Sequence, residues 1–128
     1  MPITKKQWVA ALRSGQYTQG AGKYKQPLTT SPTGFAHCCI GVYLEMDDQG
    51  LLNEVDKEAS EKTSPAAYEK VSQMLENRFD LDISQLIDLN DYYGCTFDQI
   101  ANAIEAGKVN SLWNRCKADR DIEYDGAE

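Results

Sequence analysis

Apolar residues recur along this chain at helical spacing in several blocks, each opened by a residue suited to capping. Thr4-Lys5-Lys6-Gln7 has the form of a capping box, and Trp8, Ala11 and Leu12 then share one face up to Gly15. Ser64-Pro65 reads as an N-cap followed by proline in the first turn, opening a helix with Tyr68, Val71, Leu75 and Phe79 on one side. Asp82 caps a further helix with Gln85 three residues on, and Gly94 stops it. Thr96-Phe97-Asp98-Gln99 repeats the box and leads Phe97, Ile100, Ala101 and Ile104 to a stop at Gly107. Leu112, Trp113 and Cys116 mark a last helix.

Three regions lack that rhythm. From Gly15 to Pro32 the chain is rich in Gly, Gln, Thr and Pro, which predicts an irregular segment with a short strand around Lys23–Leu28. Residues 53–63 form a polar connector or a surface helix, and the tail, 119–128, is a flexible end or a short strand at Ile122–Tyr124. The third is a run, Phe35 to Met46, in which only His37, Gly41 and Glu45 break the apolar or cysteine character. Their i, i+4, i+8 spacing makes one narrow stripe on a helix, which predicts a central buried helix over 35–49, started by Ser31-Pro32 or Thr33 and ended near Gly50. Gly41 costs such a helix roughly 1 kcal/mol relative to Ala, and close approach of a neighbouring element along the stripe would account for it. The fold expected is mainly α, or α+β if the irregular element pairs: about five helices around the 35–49 helix, in one domain over 1–128.

Length and composition agree with one soluble globular domain of 128 residues. No apolar run reaches the roughly 18 residues of a membrane span, and no signal core follows the first lysines. A cytoplasmic protein with reduced cysteines and no membrane partner is the expectation. Net charge divides unevenly. Residues 1–44 hold no Asp or Glu and five cations, Lys5, Lys6, Arg13, Lys23 and Lys25, a formal +5; the remainder holds all 20 acids against eight bases, a formal −12. Two solvated surfaces explain this as well as two faces for different partners. The overall acidity argues against direct nucleic-acid binding.

Three constellations carry candidate chemistry. In His37-Cys38-Cys39 both cysteines face the apolar part of the predicted helix, as small core residues do. A nucleophile would need an imidazole in reach, but the chain's sole histidine points along a separate stripe. Adjacent cysteines also lack the spacing of a structural zinc corner, so neither a catalytic residue nor a metal or cofactor is assigned, and a cysteine- or metal-dependent enzyme using Cys38 or Cys39 is the competing class. Asn90 falls within the apolar arc of Ile83, Leu86, Ile87 and Tyr93, with Asp91 at its edge; a buried amide requires partners, so it ties down a loop or lines a pocket. Finally, Arg13, Tyr17, Gln19, Lys23 and Lys25 surround Gly20 and Gly22, which let backbone approach an anion while the tyrosines offer stacking faces. This lacks the Walker spacing, and an exposed loop is the competing reading.

The segments "WVAALRSGQYTQGAGK", "FAHCCIGVYLEM" and "LIDLNDYYGCTFDQIANAIE" resemble a family of small bacteriophage and prophage proteins of uncharacterised function, along most of the chain and in the same order. That family has a Phe-Cys-Cys-Leu-Gly-Val helix and a Leu-Asn-Asp motif followed by Ser/Thr-Phe and Ile-Ala. The chain departs from it in the inserted Ala36-His37 and in Ile40, which disfavours His37 as a shared catalytic residue. The resemblance implies a phage origin and a role in the host cytoplasm, and it carries no activity. Small phage proteins commonly act stoichiometrically. The expectation is a non-enzymatic accessory protein that counters a host defence, either by holding a phosphorylated or nucleotide-type small molecule at Arg13, Tyr17, Gln19, Lys23, Lys25, Asn90 and Asp91, or by presenting its acidic surface to a host defence protein in mimicry of DNA.

Overall fold

A computed structural model describes residues 2–61 and 65–126. The first helix, α1 (Lys5–Arg13), begins at the expected box: Gln7 N–H donates to Thr4 Oγ1, and the Gln7 side-chain oxygen accepts from the Thr4 amide. Two of the four donors that a helix leaves unpaired at its start are bonded by this exchange. Trp8, Val9 and Leu12 are buried from this helix.

The chain then makes β1 (Thr18–Gln19), β2 (Lys25–Pro27) and β3 (Phe35–His37), arranged in the order β1-β3-β2. β3 runs parallel to β1, with Thr18 opposite Ala36, and antiparallel to β2, with Gln26 opposite Ala36. Residues 35–37 are therefore strand and not the start of the central helix. Three residues, Phe35, Ala36 and His37, are too few for a period that tells a strand from a helix, and pairing on both sides decides the matter. The central helix, α2 (Cys39–Asp47), starts only after this strand, with Cys38 as its N-cap and Cys38 Sγ accepting from the Gly41 amide at 3.3 Å. Every residue from Cys39 to Leu44 is buried, so α2 is the post around which the rest packs. Trp8 donates its indole N–H to Cys39 O at 3.0 Å and stacks at tilted angles with Tyr43 and Phe79.

Gly41 has the packing reason that its position suggested. A Cβ built there would stand 1.9 Å from the carbonyl oxygen of Tyr24, whose backbone lies directly over the helix. That same carbonyl accepts from the Cys38 amide at 3.2 Å. The β1–β2 loop is thus seated on α2 through a contact only glycine permits.

Gly50 does not end this helix. The break falls at Asp48, which is extended and caps α3 (Gln49–Glu61) by accepting from Leu51 N–H. The polar stretch from residue 53 is thus helical as far as Glu61, and its apolar side buries Leu51, Leu52 and Val55. The cap expected at Ser64 lies outside the described residues; Pro65 occupies the N-cap position of α4 (Ala66–Phe79), and Glu58 of α3 accepts from the amides of Ala67 and Tyr68 instead. Asp82 caps α5 (Ile83–Ile87), which widens into a π-helical segment, Asp88–Tyr92. The second capping box, Thr96 with Gln99, opens α6 (Phe97–Ala106), closed by Gly107 at φ 68°. The last helix, α7 (Val109–Gly126), continues through the tail, where a flexible end or a short strand at 122–124 is the sequence expectation. The chain is mainly α with a small β element. Among the described residues no helix is long and apolar enough to cross a membrane.

Candidate functional site

The predicted site residues separate into three places. The first is a buried knot around Asn90, which is 4% exposed on the π-helical segment. Its side-chain oxygen accepts from Gln19 Nε2 at 2.9 Å and from the Cys39 amide at 3.2 Å. Its Nδ2 donates to Gly20 O at 2.8 Å and to Asp91 Oδ1 at 2.7 Å. Gln19 continues the network, donating to Cys95 O at 2.7 Å and accepting from Phe97 N–H at 3.0 Å. These two amides therefore satisfy unpaired donors at the starts of both α2 and α6 while fastening the β1 end of the loop. Gln19, Asn90 and Asp91 do come together, and the bonding capacity of the Asn90 amide is fully used within the protein.

The second place surrounds His37, which is 2% exposed. Its Nε2 lies 3.3 Å from Glu45 Oε2, and Lys25 Nζ reaches the same carboxylate at 3.0 Å. The Tyr17 ring meets the imidazole edge-on at 5.3 Å, and Lys25 also stands 4.3 Å over the Phe35 ring. Burial lowers the His37 pKa; Glu45 opposes the shift and Lys25 adds to it. The imidazole is therefore predominantly neutral at pH 7, with the Nε2–H tautomer favoured by Glu45 and with Nδ1 buried and unpaired. Although His37 lies in a strand, it still reaches Glu45 of α2.

The third place is a cavity of about 300 Å³ between the β1–β2 loop and α3, lined by Gly22, Lys23, Tyr24, Lys25, Asp56, Lys57, Ala59 and Ser60. The backbone N–H groups of Tyr24 and Lys25 act on the Asp56 carboxyl of α3 to lower its pKa. Burial nevertheless raises its carboxyl above the ordinary aspartate range, against the pull of those amides and of Lys23 and Lys25. Burial likewise pushes up the Tyr24 hydroxyl, leaving it protonated at neutral pH. Three lysines thus border a cavity with a single carboxylate in its walls. Lys57, Asp56 and Ser60 are absent from the sequence-derived site; they share a face of α3, and a helical wheel over residues 53–63 would have grouped them.

Arg13 belongs to none of these places. It pairs with Glu105 at 3.0 Å and donates to Asn102 at 2.6 Å, joining the end of α1 to α6. The cavity that Lys23 and Lys25 border has neither Arg13 nor Asn90 in its walls.

The adjacent cysteines are core residues. Cys39 is wholly buried and Cys38 is 5% exposed. Burial pushes the Cys38 thiol up to about 12 and the Cys39 thiol well above its ordinary value, so both are protonated at neutral pH. Cys39 Sγ points to Leu86 O, and Cys38 Sγ is engaged as the α2 cap. No three His, Cys, Asp or Glu side chains gather to hold a metal ion among the described residues.

Residues 2–76 match the family model of a domain of unknown function, DUF8296. The match takes in α1, the sheet, α2, α3 and most of α4, and so contains every residue lining the lysine cavity. No curated protein and no solved structure matches the chain.

Proposed function

The chain belongs to the DUF8296 family, and we propose that it acts by stoichiometric binding, taking a small phosphorylated or nucleotide-type anion into the cavity bordered by Lys23, Lys25 and Lys57. The observation that carries this reading is the meeting of three lysines, the Gly22 backbone and the Ser60 hydroxyl around one cavity of small-ligand size. Lys25 is braced by Glu45 and Phe35, whereas Lys23 and Lys57 form no ion pair among the described residues. Their ammonium groups are available to phosphate oxygens, and Tyr24 with the lysine stems supplies apolar wall. Gln19, Asn90 and Asp91 hold the loop in place behind the cavity and do not line it.

In the phage setting implied by the resemblance, such a binder works in the host cytoplasm and withdraws a nucleotide signal from a host defence system. The acidic-surface reading has less support, because many acids face inward to structural partners: Glu45 to Lys25, Asp47 to Arg78, Glu58 to the start of α4, and Asp88 to Trp113. A cysteine enzyme is disfavoured by the burial and protonation of Cys38 and Cys39.

Calorimetry with inorganic pyrophosphate and a panel of linear and cyclic nucleotides tests the proposal. Saturable heat is expected for at least one of them, with affinity falling about tenfold to a hundredfold in Lys23→Ala/Lys57→Ala, as loss of one or two charge-assisted contacts predicts. No heat with any member of the panel, or equal affinity in the double variant, overturns it.

A further inference from the structure

Cys95 and Cys116 are far apart in sequence and close in space, with their sulfurs 3.9 Å apart. Both are free thiols. Cys95 is buried in the short link between the π-helical segment and α6, and its backbone is held on both sides, by N–H donation to Leu89 O at 2.8 Å and by Gln19 Nε2 at its own carbonyl. Cys116 stands half-buried on α7, reachable from solvent. α7 is tied to the same region earlier along its length, by Gln85 to Asn110 and by Trp113 to Asp88. The two thiols thus face each other across the seam between this link and α7, which is also held beyond Cys116 by Arg120 over the Tyr92 ring.

We infer that Cys95 and Cys116 form a reversible intramolecular disulfide by exchange with a small disulfide oxidant of the glutathione class. The bond requires the sulfurs to close to about 2.05 Å, a movement within reach of a side-chain rotation of Cys116 on the helix surface. In the first step the Cys116 thiolate attacks one oxidant sulfur, forming a mixed disulfide and releasing one glutathione thiolate, which takes up a proton. In the second, Cys95 loses its proton and attacks Cys116 Sγ, releasing the second glutathione as its thiol. Two protein thiols are oxidised to one disulfide, and one oxidant disulfide is reduced to two thiols. Burial and the neighbouring Cys116 push Cys95 up to about 11, which makes it a slow attacking thiol near neutral pH and the second step the slower one. Cys38 and Cys39 stay out of this chemistry, being buried, protonated and bonded within the core.

Incubating the intact protein with glutathione disulfide, followed by intact mass, peptide mapping and thermal melting, tests the inference. The expected result is a loss of about 2 Da, a cross-linked peptide pair joining Cys95 to Cys116, and a melting temperature raised by about 5–10 °C and restored by dithiothreitol. Cys95→Ser is expected to stop at the glutathione mixed disulfide on Cys116, and Cys116→Ser to remain unmodified. The mixed disulfide as the end product in the unaltered protein, a bond that includes Cys38 or Cys39, a bond between two chains, or no reaction at all would each overturn it. None of these readouts depends on anion binding.

Discussion

Two polar clusters sit on either side of the β1–β2 loop, and they have opposite characters. Around Asn90 the amides of Gln19 and Asn90 consume each other's capacity together with the unpaired donors of two helix starts. Around Lys23 the cavity is bordered by three lysines and one acid, and Lys23 and Lys57 form no ion pair among the described residues. Both looked equally chemical as residue types. A saturated polar cluster specifies structure, because any departure leaves a buried group unsatisfied. A cluster with unused capacity at an accessible surface has something to offer a ligand. On this criterion Asn90 is the keystone of the loop, and the lysine cavity is the place to look for binding.

The distinction can be broken by substitution. Asn90→Leu removes four hydrogen bonds and strands the Cys39 amide and Gly20 carbonyl, so urea unfolding should show a loss of about 3 kcal/mol or more. A loss under about 1 kcal/mol would mean that Asn90 is not the keystone. Gly41→Ala drives a methyl group into the Tyr24 carbonyl and should cost about 2–3 kcal/mol. Because Tyr24 lines the cavity, the same variant should also weaken anion binding, and calorimetry that finds affinity unchanged would detach the cavity from its seat on α2. Lys23→Ala/Lys57→Ala should do the reverse of Asn90→Leu, lowering affinity while leaving stability within about 0.5 kcal/mol.

The smallest effect concerns pH. The folded protein holds His37 with its pKa below the ordinary histidine value of 6.5, chiefly through burial. Below about pH 6.5 the unfolded chain therefore binds a proton that the folded one resists, and stability declines as pH falls. His37→Gln keeps a donor toward Glu45 without this titration. The stability difference between the unaltered protein and the variant should then grow from pH 5 to 7 and level off above, which melting curves across that range would detect. A flat difference would show that His37 titrates alike in both states.

Much of the local structure was legible beforehand. Thr4 with Gln7 and Thr96 with Gln99 form their reciprocal caps, Asp82 caps α5, and Gly107 closes α6. Gly41 reads correctly as a point of close approach, and Asn90 as a buried amide that must find partners. The identity of those partners was not legible, since Cys39 and Gln19 lie 51 and 71 residues away. Phe35–His37 is a strand where the expected helix would begin, because a segment this short fits either element until its neighbours are in place. Arg13 looked like part of the basic loop, yet its end of α1 faces Glu105 on α6.

What the amino-acid sequence determined by itself is the set of features whose partners lie within a turn or two along the chain: caps, stops, and the apolar faces that make the chain mainly helical. Tertiary structure decided whatever depends on partners brought from afar. It made Phe35–His37 a strand by supplying neighbours on both sides, used Gln19 and Asn90 to satisfy helix starts, and brought Lys57 of α3 to the loop carrying Lys23. The physical reason is that hydrogen bonding and burial are satisfied in space. Sequence spacing predicts a contact only when the intervening backbone is itself a regular element.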